Sequence, residues 1–153
     1  MNIVKATIQD EEFLWKLRNE ISSRKMLIND NYISWENHCE WFSKAQRNPN
    51  IFILIGKKYN TKVGMVKFEK YQSLINKYWV AINISPKQRR RGFGKLLLIE
   101  GIKKLKNLDT NTREIVAEIK KDNKSSYKLF SSSGFVLYHE EKGINTLVYK
   151  LDQ

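Results

Sequence analysis

The sequence predicts an α/β (α+β) fold: a mixed, mainly antiparallel sheet of about seven strands flanked by about four helices. Three observations carry this prediction. Strand-like apolar runs outnumber segments with a helical period. Many neighbouring strand candidates are joined by short turns and read as hairpins. The element order is β-α-α-β-β-β-α-β-α-β-β, without the strand–helix alternation of a doubly wound parallel sheet.

Residues 2–8, NIVKATI, suit a first strand. Asp10 can cap a helix from Glu11 to about Met26 that places Phe13, Leu14, Leu17 and Ile21 on one face. Ser34 can cap a second helix, SWENHCEWFSKAQ, which stops before Asn48 and Pro49. NIFILIGKK and KVGMVKFEKY form a hairpin around Tyr59-Asn60-Thr61, and KYWVAINIS is a further strand closed by Pro86. A helix follows from about Gly92 to Leu108, and TREIVAEIKK is the next strand. NKSSYKLFSSSG is a short helix ended by Gly134, a residue suited to the left-handed C-terminal stop. FVLYHEE and NTLVYKL close the chain as a hairpin around Lys142-Gly143. No linker and no internal repeat divides the 153 residues, so residues 1–153 are expected to form a single domain.

Hydrophobic residues at 41% and aromatics at 12% are enough for a packed core. Lys and Arg number 28 against 16 Asp and Glu, a formal net charge of +12 that favours an anionic partner. Cys39 is the only cysteine, which excludes a disulfide framework or a Cys-based zinc site within one chain and suits a reducing cytoplasm. The start, MNIVKATIQDEEF, has no signal-peptide pattern, and runs such as IFILI at 51–55 are too short to span a bilayer. A cytoplasmic location without a membrane partner is expected. The basic residues are spread along the chain and no helix-turn-helix, zinc finger or aromatic-interleaved RNA motif is found, so nucleic acid is not the expected partner.

Residues 86–95, PKQRRRGFGK, concentrate charge beside two glycines, between a strand and a helix. The first amides of a helix have no internal partners and, with the helix dipole, form an anion site. Gly92 and Gly94 keep side chains away from those amides, and Arg89, Arg90, Arg91 and Lys95 surround them with charge. A pyrophosphate fits this arrangement; a basic helix start on a solvated surface is the competing reading. The spacing is neither G-x-x-x-x-G-K-[ST] nor G-x-G-x-x-G, so no familiar NTPase or dinucleotide loop is implied.

Arg89 to Gly94 match the form [QR]-x-x-G-x-[GA], and Asn123, Ser126, Leu129, Phe130, Gly134 and Phe135 follow about thirty residues later in AEIKKDNKSSYKLFSSSGF. With these two motifs in this order, the chain resembles the GNAT superfamily of N-acetyltransferases over essentially its whole length. LRN at 17–19, Arg24, and H-x-x-W-F at 38–42 look like the branch that acetylates the 4-amino group of nucleotide-linked deoxyamino sugars, as in the pseudaminic-acid route. Ribosomal-protein N-terminal acetyltransferases are close relatives of that branch.

The resemblance implies direct attack of a neutral amine on the thioester of acetyl-CoA, with no metal required. It places acetyl-CoA along Ile82, Asn83 and Ile84 and at residues 89–95, Phe93 included, with the backbone amide near Ile84 as the oxyanion donor. Asn123, Ser126 and Phe130 would line the pantetheine arm, although Asn123 can equally be a plain helix cap. Many relatives carry a base where Tyr78 and Trp79 stand here. Glu118 is the first candidate to replace it, against an ordinary Lys-paired strand carboxylate, and His38 the second, against a packed histidine. Phe130 occupies a position where relatives often carry a tyrosine acid, which leaves Tyr127, Ser126 or water. Arg18, Asn19, Trp41 and Trp79 are expected substrate contacts, with helix-core and surface roles as the alternatives. The acceptor is a small amine, expected to be a sugar nucleotide; the alternatives are a protein N-terminus, a polyamine or a drug. A monomer or a homodimer is expected.

Overall fold

A computed structural model describes residues 1–72 and 76–152. The strands are β1 (Asn2–Lys5), β2 (Ile51–Lys58), β3 (Thr61–Lys70), β4 (Lys77–Ile84), β5 (Glu114–Lys120), β6 (Val136–Glu141) and β7 (Ile144–Lys150). They form one sheet in the order β1-β2-β3-β4-β5-β7-β6, antiparallel except where β4 meets β5. The helices are α1 (Glu11–Asn19), α2 (Ile21–Arg24), α3 (Trp35–Arg47), α4 (Phe93–Leu108) and α5 (Lys124–Ser132). Among the described residues no helix is long and apolar enough to cross a membrane.

The continuous helix expected from Glu11 to about Met26 is two helices. At Glu20 the backbone leaves the helical region (φ −57°, ψ 132°), and the Glu20 carboxylate accepts the Ser23 amide at 2.9 Å. A self-contained cap inside an apolar pattern ends one helix and starts another. The first strand also stops earlier than expected, at Lys5. Asp10 accepts the Thr7 amide at 2.9 Å and draws the chain into a turn; its other oxygen pairs with Lys62 at 2.7 Å, so it does not cap α1.

Helix α4 lies against one face of the sheet, where Leu97, Leu98, Ile102 and Leu105 bury Leu54, Val66, Phe68 and Ile115. On the other face Leu14 of α1 and Phe42 and Ala45 of α3 cover Ile53 and Ile55. Strand alternation therefore sends Val80 and Ala117 to the α4 side, and Trp79, Ala81, Val116 and Glu118 to the α1–α3 side.

The parallel pairing of β4 and β5 is short. It runs through Lys77↔Glu114, Tyr78↔Ile115 and Trp79↔Val116, whereas β4 stays paired to β3 as far as Ile84 and β5 to β7 as far as Lys120. Beyond Trp79 the two strands splay and leave a wedge between them. The closed end of the wedge is pinned by Asp109, just past α4, which accepts from the Tyr78 hydroxyl and the Lys70 ammonium, each at 2.8 Å.

Candidate active site

The wedge opens at the C-terminal end of β4, where the chain turns through residues 86–92 into α4. Helices α2, α3 and α5 each have a side chain capping their first turn: Glu20, Ser34 and Asn123. Helix α4 has none. Its cap is Gly92 in the left-handed region (φ 77°, ψ 0°), and a Cβ there would meet nothing within 4 Å. The glycine serves a backbone conformation that other residues adopt only with strain, and it leaves the first amides of a sixteen-residue helix open to an anion. Gly94 has a different role: a Cβ at that position would come within 3.3 Å of Leu129, so it sets the close approach of α4 to α5.

The three arginines before Gly92 are not equivalent. Arg90 is exposed and itself left-handed (φ 59°). Arg91 bonds Gln88 at 2.8 Å and lies over the Phe93 ring at 5.2 Å, with the Lys58 ammonium 5.1 Å from the same ring. Arg89 is turned away from the helix end. Its Nε donates to the Ile84 carbonyl at 3.0 Å, Nη1 to Ser22 at 2.6 Å and Nη2 to Ser23 at 2.8 Å. Lys95 is exposed on the first turn of α4.

A cleft of about 770 Å³ follows the wedge, lined on one side by Val80, Ala81 and Ile82 and on the other by Glu118, Ile119, Asn123, Ser126 and Phe130. The Asn123 side-chain oxygen Oδ1 caps α5 by accepting the Ser126 amide at 3.2 Å, while the residue also lines the cleft, so capping and a contact inside the cleft are compatible. Ile84 packs against the core beside the loop. A second cavity, of about 480 Å³, adjoins on the α1–α3 side and shares Arg18, Leu27, Lys67, Ala81 and Ile82 with the cleft. Its walls are mostly apolar; among the described residues the ionisable side chains on it are Arg18, His38 and Lys67, and no carboxylate lines it.

Glu118 stands in the cleft on the face shared with Trp79. Burial raises its carboxyl above the ordinary range, and among the described residues no ion pair or hydrogen bond reaches it. Its neighbour Glu114, by contrast, pairs with Lys77 at 3.1 Å. His38 is buried and stacked between Trp35 and Phe42. Its Nε2 donates to the Glu11 carbonyl at 2.8 Å, so the other nitrogen carries the lone pair, and burial lowers its pKa.

Trp41 lines the second cavity and Trp79 the cleft; each is about 40% exposed. Trp79 stacks on Tyr71 with ring centres 4.6 Å apart. Arg18 lines both spaces, donates from Nη2 to the Asn29 carbonyl at 2.9 Å, and has a buried Nη1 without a partner among the described residues. Asn19 is elsewhere engaged: its amide donates to the Ile33 carbonyl and accepts the Ile33 amide, which ties the loop after α2 to α1. Tyr127 packs against the core and lines neither space.

Lys67 and Tyr71 were not singled out from the sequence. Lys67 had a usable signal, since it shares the alternating face of β3 with Met65 and Glu69 and would be a charge pointing at a helix layer. Tyr71 follows the last residue of β3, where periodicity gives no facing.

Residues 14–135 match the model of the acetyltransferase (GNAT) family. Acetyltransferase PseH of Campylobacter jejuni subsp. jejuni serotype O:23/36 (strain 81-176) is 24% identical over 142 residues, covering 92% of this chain and 86% of that protein. Among solved structures, the chain is similar to spermidine N-acetyltransferase from Vibrio cholerae in complex with CoA and spermine, with a TM-score of 0.86, 15% identity, and coverage of 97% of this chain and 94% of that one. It is similar as well to the ribosomal-protein-alanine N-acetyltransferase from Brucella melitensis (TM-score 0.82, 18% identity, 99% and 100% covered). A third such structure is yncA from Salmonella typhimurium with acetyl-CoA (TM-score 0.82, 18% identity, 100% and 95% covered).

Proposed function

The chain belongs to the acetyltransferase (GNAT) family and is an N-acetyltransferase that uses acetyl-CoA; from that premise we propose that residues 1–153 act as one catalytic domain on the 4-amino group of a nucleotide-linked deoxyamino sugar. The open amides of α4 and the wedge beyond Trp79 suit a ligand with a pyrophosphate at one end and an extended, hydrogen-bonding arm. Acetyl-CoA brings an acetyl group activated as a thioester. The residues of the cleft hold the arm along Val80 to Ile84 and Asn123, and Glu118 takes the proton that the amine gives up as its nitrogen bonds to the acetyl carbon. The carbon–sulfur bond breaks, and the sulfur leaves as a thiol once protonated.

The observation that carries the acceptor class is the second cavity: apolar walls, Arg18 and Lys67, and no carboxylate among the described residues. A polyamine needs carboxylates along its path, and an amine attached to an anion needs cations, so this cavity favours the second kind of acceptor. The unpartnered Arg18 Nη1 is a buried donor that a phosphate or carbonyl oxygen would satisfy. The resemblance of residues 17–19, 24 and 38–42 to the sugar-nucleotide branch supports the same class. An N-terminal peptide amine is the second reading, favoured by Glu118 standing five residues before Asn123.

Thiol release from acetyl-CoA tests the proposal with three acceptors: a UDP-linked 4-amino-4,6-dideoxy sugar, an alanine-started peptide and spermidine. Turnover is expected with the sugar nucleotide, and Arg18→Leu should cut its kcat/KM by about tenfold or more. Turnover confined to the peptide or to spermidine overturns the acceptor class and leaves the acetyltransferase assignment standing.

A further inference from the structure

Arg89 opens the motif that surrounds the expected phosphate site, yet each of its three nitrogens already donates to the protein. Its Nη2 is also 3.6 Å from Glu20 Oε2. The partners are a carbonyl at the end of β4 and two hydroxyls of α2, so the guanidinium spans from the loop before α4 to the far side of the wedge.

Ser23 is the centre of this arrangement. It is 6% exposed, its hydroxyl accepts from Arg89, and it lies 3.1 Å from Asn83 Oδ1 and 3.3 Å from Glu20 Oε2. The Asn83 amide in turn donates to the Leu17 carbonyl of α1 at 3.1 Å. Asn83 belongs to the splayed part of β4 and lines the second cavity. One buried hydroxyl thus joins the loop before α4, the splayed strand and the α1–α2 corner.

Helix α2 has four residues, too few to hold helical backbone by its own hydrogen bonds, so its place depends on these contacts. The chain leaving it supplies Leu27, which lines both the cleft and the second cavity.

We propose that Arg89 is a positioning residue rather than a phosphate ligand, and that the Arg89–Ser23–Asn83 network couples occupation of the acetyl-CoA loop to ordering of the acceptor wall. This rests on residues 89–95 being the phosphate loop. It makes acetyl-CoA binding a preparation for the amine.

The test is amide hydrogen exchange of residues 20–25, which line neither cavity in α2 itself, with and without acetyl-CoA, alongside calorimetric Kd values. In the wild type, acetyl-CoA should slow exchange in this segment by about fivefold or more. In Ser23→Ala the slowing should fall below about twofold while the Kd for acetyl-CoA moves by less than about threefold. Arg89→Lys keeps the charge but not the three-way fork and should also lose the slowing, whereas a phosphate ligand would be rescued by lysine. Ser22→Ala, on the exposed rim, gives the same reading at reduced size if the buried variant fails to fold. Slowing that survives in these variants, or is missing in the wild type, overturns the coupling. A Kd raised about tenfold or more by Arg89→Ala and restored by Arg89→Lys shows that Arg89 serves the phosphates directly. Absence of any acetyl-CoA binding would sink the phosphate-loop reading instead, and this inference with it.

Discussion

Trp79 and Val116 are the last residues at which β4 and β5 face each other as a pair. Beyond them two strands of one sheet turn their edges to an open cleft, an arrangement that costs hydrogen bonds unless a ligand supplies them. The structure anchors the other end of that wedge firmly, and its function depends on keeping one end closed and the other open.

The anchor makes the first prediction. Tyr78→Phe removes a hydrogen bond to a half-buried carboxylate and should cost about 1–2 kcal/mol by chemical denaturation. Asp109→Asn should cost more at neutral pH, because both Tyr78 and Lys70 lose a charged acceptor. Although burial alone would raise the Asp109 carboxyl, Lys70 and Tyr78 together hold it below the ordinary range. A depressed carboxylate contributes stability above its unfolded pKa and loses it as pH falls. The gap between wild type and Asp109→Asn is therefore expected to be full at pH 7 and to close below about pH 4. A gap that widened in acid would contradict the pairing.

Glu118 gives the opposite sign. Its carboxyl is raised by burial and has no compensating partner among the described residues, so charging it opposes folding. Glu118→Gln should melt slightly higher than wild type at pH 8, with the difference fading toward pH 4. The same change should lower kcat by about a hundredfold or more and abolish the acid limb of the kcat/KM profile. A variant that is both less stable and fully active would make Glu118 a structural residue.

Gly92 separates shape from charge. Gly92→Ala finds open space but must hold φ at 77°, so about 1 kcal/mol of stability should be lost with little steric cost. Gly92→Glu adds a negative charge at the open amides of α4 and should raise the Kd for acetyl-CoA by about tenfold beyond the alanine variant. Calorimetry on both variants at two salt concentrations checks this, since the charge effect is screened and the backbone effect is not.

Most of the fold was legible because apolar periodicity and turn residues agree along the chain. The hairpins, the helix after Pro86 and the stop at Gly134 all follow from local chemistry. The break at Glu20 was not, because the apolar spacing of Leu14, Leu17 and Ile21 continues across it. Only the reach of the Glu20 carboxylate to Ser23 reveals the cap. At the site, the glycines that shape the loop before α4 were visible as a motif. Side-chain direction was not. Nothing in RRRG says that Arg89 turns to α2 while Arg91 stays at the loop, since the partners lie more than sixty residues away. Asn19 likewise sits in a suggestive LRN, yet spends its amide on Ile33.

The acid of the reaction yields the last prediction. Tyr127 lines neither cavity and packs against the core, whereas Phe130 lines the cleft edge-on to Phe135, with ring centres 4.9 Å apart. Of the two α5 side chains that line the cleft, Phe130 has no proton to give and Ser126 carries a hydroxyl, so we propose Ser126 or water as the donor. Tyr127→Phe should leave kcat within about twofold, because the side chain lines neither cavity, whereas loss of a general acid costs about a hundredfold or more. Phe130→Tyr should place a hydroxyl at the cleft, but a thiolate with a pKa near that of cysteine, about 8.5, leaves with little assistance at neutral pH. The expected gain in kcat is below about threefold at pH 7, set against a stability loss of about 1 kcal/mol from a hydroxyl entering an aromatic pair. A hundredfold loss in Tyr127→Phe would instead require α5 to rotate when acetyl-CoA binds, and would make Tyr127 the acid.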